Sequence, residues 1–167
     1  LLMRYARGRV ANFSSRQIMT LIGGVVLGTM NSPTQGAIAM CIALFGEAVD
    51  CLYLRNADRL IAKGVSFPRI RLVSTLTAAF QAATISVCVI MAWLGPVTGL
   101  SPLFSAAFLA GAAINAGLVM PFHRPAAIAR LTIYAATAFA LFAYDAITSE
   151  VHSSALVMNT SGAIMLT

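Results

Sequence analysis

Glu47 and Asp50, in the stretch FGEAVDCLYLR, are the side chains best placed to do chemistry. Three residues apart on a helix, they share one face. Acids inside an apolar run are costly, on the order of 2.5–3.5 kcal/mol each at the centre of a membrane-spanning helix, so they face a bundle interior and either pair or line an ion path. Two chemistries follow: a proton or cation site, or a structural cluster neutralised by arginines at the same depth. Arg16, Arg55, Arg71 and Arg130 are the candidate partners. The many nearby cations, and the lack of a carboxylate in the opposite leaflet to continue a relay, favour the structural cluster.

The other reactive side chains are arranged for nothing recognisable. His123 lies in the surface turn PFHRP and His152 in a polar loop, whereas an axial haem or chlorophyll ligand sits inside a span and faces a cavity. Cys41, Cys51 and Cys88 fall inside apolar runs, with no CxxC and no Cys/His spacing suited to zinc, and read as small apolar residues. Walker A, GxGxxG, HExxH and GxSxG motifs are absent. No catalytic, cofactor or metal residue is expected, and the residues read as non-enzymatic, with lipid or pigment contact left open.

The elements that must position the two acids are set by composition. Of 167 residues 59% are hydrophobic and 10% charged, against roughly 25% charged in an ordinary soluble domain, and the mean hydropathy is +0.86. A net charge of +6 would suggest nucleic acid in a soluble protein. Here the cations flank apolar runs, so membrane topology explains them and no nucleic-acid partner is expected.

The reading is an all-α, polytopic transmembrane helix bundle forming one domain over 1–167, with five complete spans and the start of a sixth. The spans fall at about Phe13 to Met30, Ala37 to Leu54, Leu72 to Leu94, Leu103 to Met120 and Ala126 to Tyr144, and the sixth opens near Ala155. Residues 1–17 form a basic interfacial segment whose aromatics point down and whose arginines point toward anionic lipid. Residues 55–71 form a basic cytoplasmic loop. NSPTQG, GPVTGLSP and the Asp145 to His152 stretch are turns on the far side, with Trp93 at that interface.

With a cytoplasmic amino terminus, all eleven Lys and Arg fall on the cytoplasmic side, as the positive-inside rule requires of a bacterial inner-membrane protein. The chain opens on Leu1 and closes in a short apolar run, which reads as part of a longer protein.

Packing against other helices, in a homodimer or a larger membrane complex, is expected at small residues. These are the GxxxG pair Gly24 and Gly28 in the first span, and Gly111, Asn115 and Gly117 in a fourth span rich in alanine. That fourth span is expected to be the more closely surrounded by protein. Gln81 in the third is expected to face another helix.

The arginine-rich MRYARGRVANFSSRQ, followed by FGEAVDCLYLR and a basic loop, resembles the amino-terminal membrane modules of bacterial, particularly proteobacterial, sensor histidine kinases. The resemblance covers the whole chain and implies a non-catalytic anchor or sensory input region, since the phospho-acceptor histidine and ATP-binding boxes are absent from these residues. Two other functions fit the residues. One is an accessory subunit packed against a larger photosynthetic or respiratory complex. The other is a small transporter, for which the acids are the only argument.

Overall fold

The computed structural model describes residues 2–95 and 101–148. Among them the fold is all-α, in seven helices: α1 (Leu2–Ala11), α2 (Phe13–Met30), α3 (Pro33–Arg55), α4 (Ala57–Ala62), α5 (Phe67–Trp93), α6 (Ser101–Gly117) and α7 (Arg124–Thr148). Three of these, α3, α5 and α7, are long and apolar enough to cross a membrane, and Pro102–Gly117 adds a shorter apolar helix. The protein is therefore membrane-embedded and helical. By length and composition three of the five expected spans are seen; α2, with Arg16 and Gln17 near its start, and α6, at 17 residues, fall short of that measure. Most of the GPVTGLSP turn, Glu150, His152 and the expected sixth span lie outside the described residues.

Local signals fix most boundaries. Ser32 caps α3 by accepting a hydrogen bond from the Gln35 N–H at 3.2 Å, and Pro33 follows in the first turn, where its missing N–H is harmless. Gly64, at φ +80°, supplies the left-handed turn that ends α4 and brings the chain to Pro68 in the first turn of α5. The expected basic loop is thus shorter than 55–71. It contains α4, and Phe67 to Arg71 already belong to α5, because proline at a helix start favours helix rather than breaking it.

α5 is the central helix, packed against α3, α6 and α7, while α2 lies on the outer side of α3. The core between them is built from Ala43, Ala82, Ile85, Val89, Leu109, Tyr134, Ala138 and Leu141. Its small residues let the helix axes approach and its larger ones interdigitate. The hydroxyls of α5 turn inward: Ser74, Thr84 and Ser86 are buried, and Thr137 of α7 donates to Ser86 Oγ at 2.9 Å. At one end Trp93 Nε1 donates to Asp145 at 3.0 Å, joining the ends of α5 and α7. At the other, basic end, Leu2, Tyr5 and Ala6 of α1 close the bundle against Leu54, Ala57 and Ile70.

The small residues do not all play the part expected of them. Gly24 and Gly28 face the protein's own α3: a Cβ on Gly36 would meet the Gly28 Cα at 2.5 Å and the Gly24 carbonyl oxygen at 2.6 Å. The GxxxG pair therefore serves an intramolecular crossing. Conversely, Gly111 is exposed and Gly117 half-buried, and a Cβ at either would meet nothing within 4 Å. Asn115 is also exposed, bonding the Gly111 carbonyl of its own helix at 3.0 Å. α6 has fewer exposed positions than α2, in line with expectation, but it is not tightly enclosed. Its small residues leave one face open, whereas α5 carries the longest run of buried positions.

Candidate functional site

Glu47 and Asp50 come from the second half of α3, one turn apart, and point into the basic end of the bundle, where α1, α2 and α7 converge on them. Asp50 is 0% and Glu47 4% exposed. Arg9 Nη2 reaches both acids, at 3.1 Å from Glu47 Oε1 and 2.9 Å from Asp50 Oδ2. Arg16 Nε donates to Glu47 Oε1 at 2.6 Å, and its Nη2 donates to the Arg9 carbonyl oxygen at 2.8 Å, which ties the start of α2 to the end of α1. Arg130 Nη2 donates to Asp50 Oδ2 at 2.7 Å, and Thr77 Oγ1 of α5 donates to Oδ1 at 2.8 Å. Both oxygens of Asp50 are thereby bonded, as a buried carboxylate requires.

Of the expected partners, Arg16 and Arg130 are in the cluster; Arg55 and Arg71 are not. Both are exposed and pair with neither acid, because they lie on the outward faces of α3 and α5. Arg9 takes their place. The interfacial reading of residues 1–17 points Arg4, Arg7 and Arg9 alike toward lipid, but α1 folds over the bundle end with Tyr5 and Arg9 on its buried face and Arg4 and Arg7 on its exposed one. The i, i+4 spacing of Tyr5 and Arg9 was the available signal. Burial alone would lower the pKa of Arg9; the adjacent carboxylates of Glu47 and Asp50 outweigh that and hold it above its usual value.

His123 is buried, not at a surface turn. Its Nδ1 accepts the Ala126 N–H at 3.4 Å at the start of α7, and its ring meets Tyr5 edge-on at a centroid distance of 5.0 Å. Burial, with Arg71 next in effect, pushes its pKa below the usual histidine value and keeps it neutral. Cys41 is exposed on a helix surface, and Cys51 and Cys88 are half-buried, all three as free thiols. Among the described residues no three His, Cys, Asp or Glu side chains gather into a metal-binding group.

The cluster forms the inner wall of a lateral cleft between α2 and α6, about 580 Å³ in volume, whose polar lining includes Arg9, Arg16, Glu47, Gln81 and Arg130. Gln81 is buried as expected, but it lines this cleft. Three guanidinium groups meet two carboxylates here, so the cluster holds one net positive charge. Arg9 Nε, Arg130 Nε and Arg130 Nη1 are buried with no hydrogen-bond partner among the described residues. The arrangement can hold helices together and can receive an acidic group. It offers no nucleophile paired with a base.

Set against known proteins, the chain matches no family model, no curated protein and no solved structure.

Proposed function

We propose that the chain is a non-catalytic membrane module, the anchor and sensory input region of a signalling protein of the sensor histidine kinase type. In this reading it sits in the bacterial cytoplasmic membrane with its amino terminus inside and its helices making five spans. The observation that carries the proposal is the buried ion-pair network. It joins α1 to α2, α3 and α7 at the end of the bundle where the arginines gather, so a change in helix packing must break or re-form specific charge pairs. Such a network favours discrete arrangements over continuous ones, which suits a switching element. The one-sided distribution of Lys and Arg supports the orientation.

The test is the reading frame beyond Thr167. A helix with a phospho-acceptor histidine followed by ATP-binding boxes is expected. A stop codon, or a continuation without those elements, refutes the kinase reading.

A second reading, an accessory subunit of a bioenergetic complex, is favoured by the open face of α6, where Ala107, Gly111 and Asn115 are exposed. Such a face would let a helix of another chain approach closely. Native purification with mass spectrometry of co-purifying chains would reveal a stoichiometric larger partner if this reading holds. A transporter is the weakest of the three, because both acids already carry arginine partners.

A further inference from the structure

The geometry points to a binding site for one anionic phospholipid in the cleft between α2 and α6, with its phosphate at the arginine cluster and one acyl chain along the groove. This inference does not depend on the kinase reading.

Charge provides the first argument. The cluster carries one net positive charge with only Arg16 part-exposed, so an anion that joins it from the cleft is stabilised by the excess. Arg9, Arg16 and Arg130 all line the cleft, and the Arg16 side chain is 20% exposed, its Nε and Nη2 bonded to Glu47 and the Arg9 carbonyl oxygen and its Nη1 left over. A guanidinium edge with spare N–H groups is well matched to phosphate oxygens.

Shape provides the second. From the cluster the cleft runs outward between Ile22 and Val26 of α2 and Phe104, Phe108 and Ala112 of α6. Arg16 and Val26 are ten residues apart on one helix, roughly 15 Å along its axis. That is about half the thickness of a hydrocarbon core, the depth of a single leaflet. A free phosphate would satisfy the arginines and leave these apolar walls uncovered; a zwitterionic lipid would bring an ammonium group toward a site already in positive excess. An anionic phospholipid answers both requirements.

Gly111 gives a clean way to plug the groove. It lines the cleft, and a side chain there meets no atom within 4 Å of its Cβ, so a bulky residue enters the groove rather than the core.

The full chain, purified in detergent and supplied with equal phosphatidylglycerol and phosphatidylethanolamine, is examined by native mass spectrometry. One phosphatidylglycerol should be retained with a preference of about tenfold, equivalent to about 1.4 kcal/mol. Gly111→Phe, and independently Ala107→Phe from the same wall, should abolish the preference while leaving thermal unfolding unchanged. Arg16→Lys keeps the charge and can still pair with Glu47, but lacks the spare guanidinium N–H group, and should weaken the preference without loss of fold. Equal retention of the two lipids, or unchanged retention by both folded Phe variants, overturns the proposal. Displacement of the lipid by millimolar inorganic phosphate also overturns it, since the site would then be one for a small anion.

Discussion

Replacing Asp50 by asparagine tests the charge cluster most directly. The substitution keeps the shape of the side chain and its ability to accept from Thr77 Oγ1, now 2.8 Å away, but removes the negative charge that meets Arg9 at 2.9 Å and Arg130 at 2.7 Å. The cluster would then hold three guanidinium groups against Glu47 alone. Because Asp50 is 0% and Arg130 2% exposed, water cannot take over the lost role. Breaking a buried pair by removing one partner costs about 3–5 kcal/mol, most of it the uncompensated charge left behind. Glu47→Gln should cost less, toward the lower end of that range or below it, because Arg16 remains partly exposed and can turn toward solvent.

Removal of both partners should be milder. Arg130→Met with Asp50→Asn restores the original charge balance and replaces a guanidinium with an apolar chain of similar length. The double variant should recover at least about 2 kcal/mol relative to the sum of the two single changes. Unfolding by sodium dodecyl sulfate titration from mild detergent, followed by circular dichroism, gives the three free-energy changes and their coupling. If the costs simply add to within about 0.5 kcal/mol, the residues act independently and the reasoning fails.

Arg9→Met should destabilise the protein as a cluster residue does, whereas Arg55→Met and Arg71→Met should stay within about 0.5 kcal/mol of the parent, as exposed substitutions do; equal costs by the same titration would contradict the placement of α1. Gly36→Ala should cost about 1–3 kcal/mol or more, because its Cβ meets backbone of α2 that cannot yield, while Gly111→Leu should fold with undiminished stability. The folded-state pKa of His123 is depressed, so its stabilising contribution is complete above the unfolded value near 6.5 and is lost as pH falls through the lower folded value. Thermal unfolding between pH 7.5 and 5 should therefore show a loss of stability that is reduced in His123→Phe; an identical pH profile would remove histidine from the account. Single cysteines at Ser32 and Ser66, in a background lacking Cys41, Cys51 and Cys88, should react with an impermeant thiol reagent from opposite sides of the membrane, Ser32 from outside; labelling of both from one side would overturn the topology.

Much of the fold is legible in the sequence because apolar runs of membrane-spanning length, broken by Asn-Ser-Pro or Pro-Phe-His-Arg-Pro, leave few alternatives to helices joined by short turns. The bounds expected for α3 and α7 lie within a few residues of those observed. What is poorly legible is which way each face points. In water an apolar stripe marks the buried face, but lipid is as apolar as a protein core, and that contrast disappears. This is why the small side chains of α6 read as a face packed by other helices, although Gly111 and Asn115 are exposed. In α6 the small residues open a cleft, while the same residue type at Gly24, Gly28 and Gly36 closes a crossing. A glycine's role depends on what lies across from it, and that is a property of tertiary structure.

The charge cluster has the same lesson in a stronger form. The acids were identifiable because a carboxylate in an apolar run demands a partner, and Arg16 and Arg130 stand at the depth where a partner is needed. Arg55 and Arg71 satisfied the depth criterion equally well, yet they lie on outward faces. Arg9 escapes a reading of the sequence because an arginine-rich first helix reads as a membrane-surface segment. That content divides by face: Arg4 and Arg7 are exposed, while Arg9, one turn after the buried Tyr5, is 8% exposed. A helix that looks like a lipid-facing anchor thus serves as the lid of the bundle, and its one inward arginine is the only cation that contacts both acids among the described residues. Depth alone selects candidates for a buried ion pair; the helical face chooses among them.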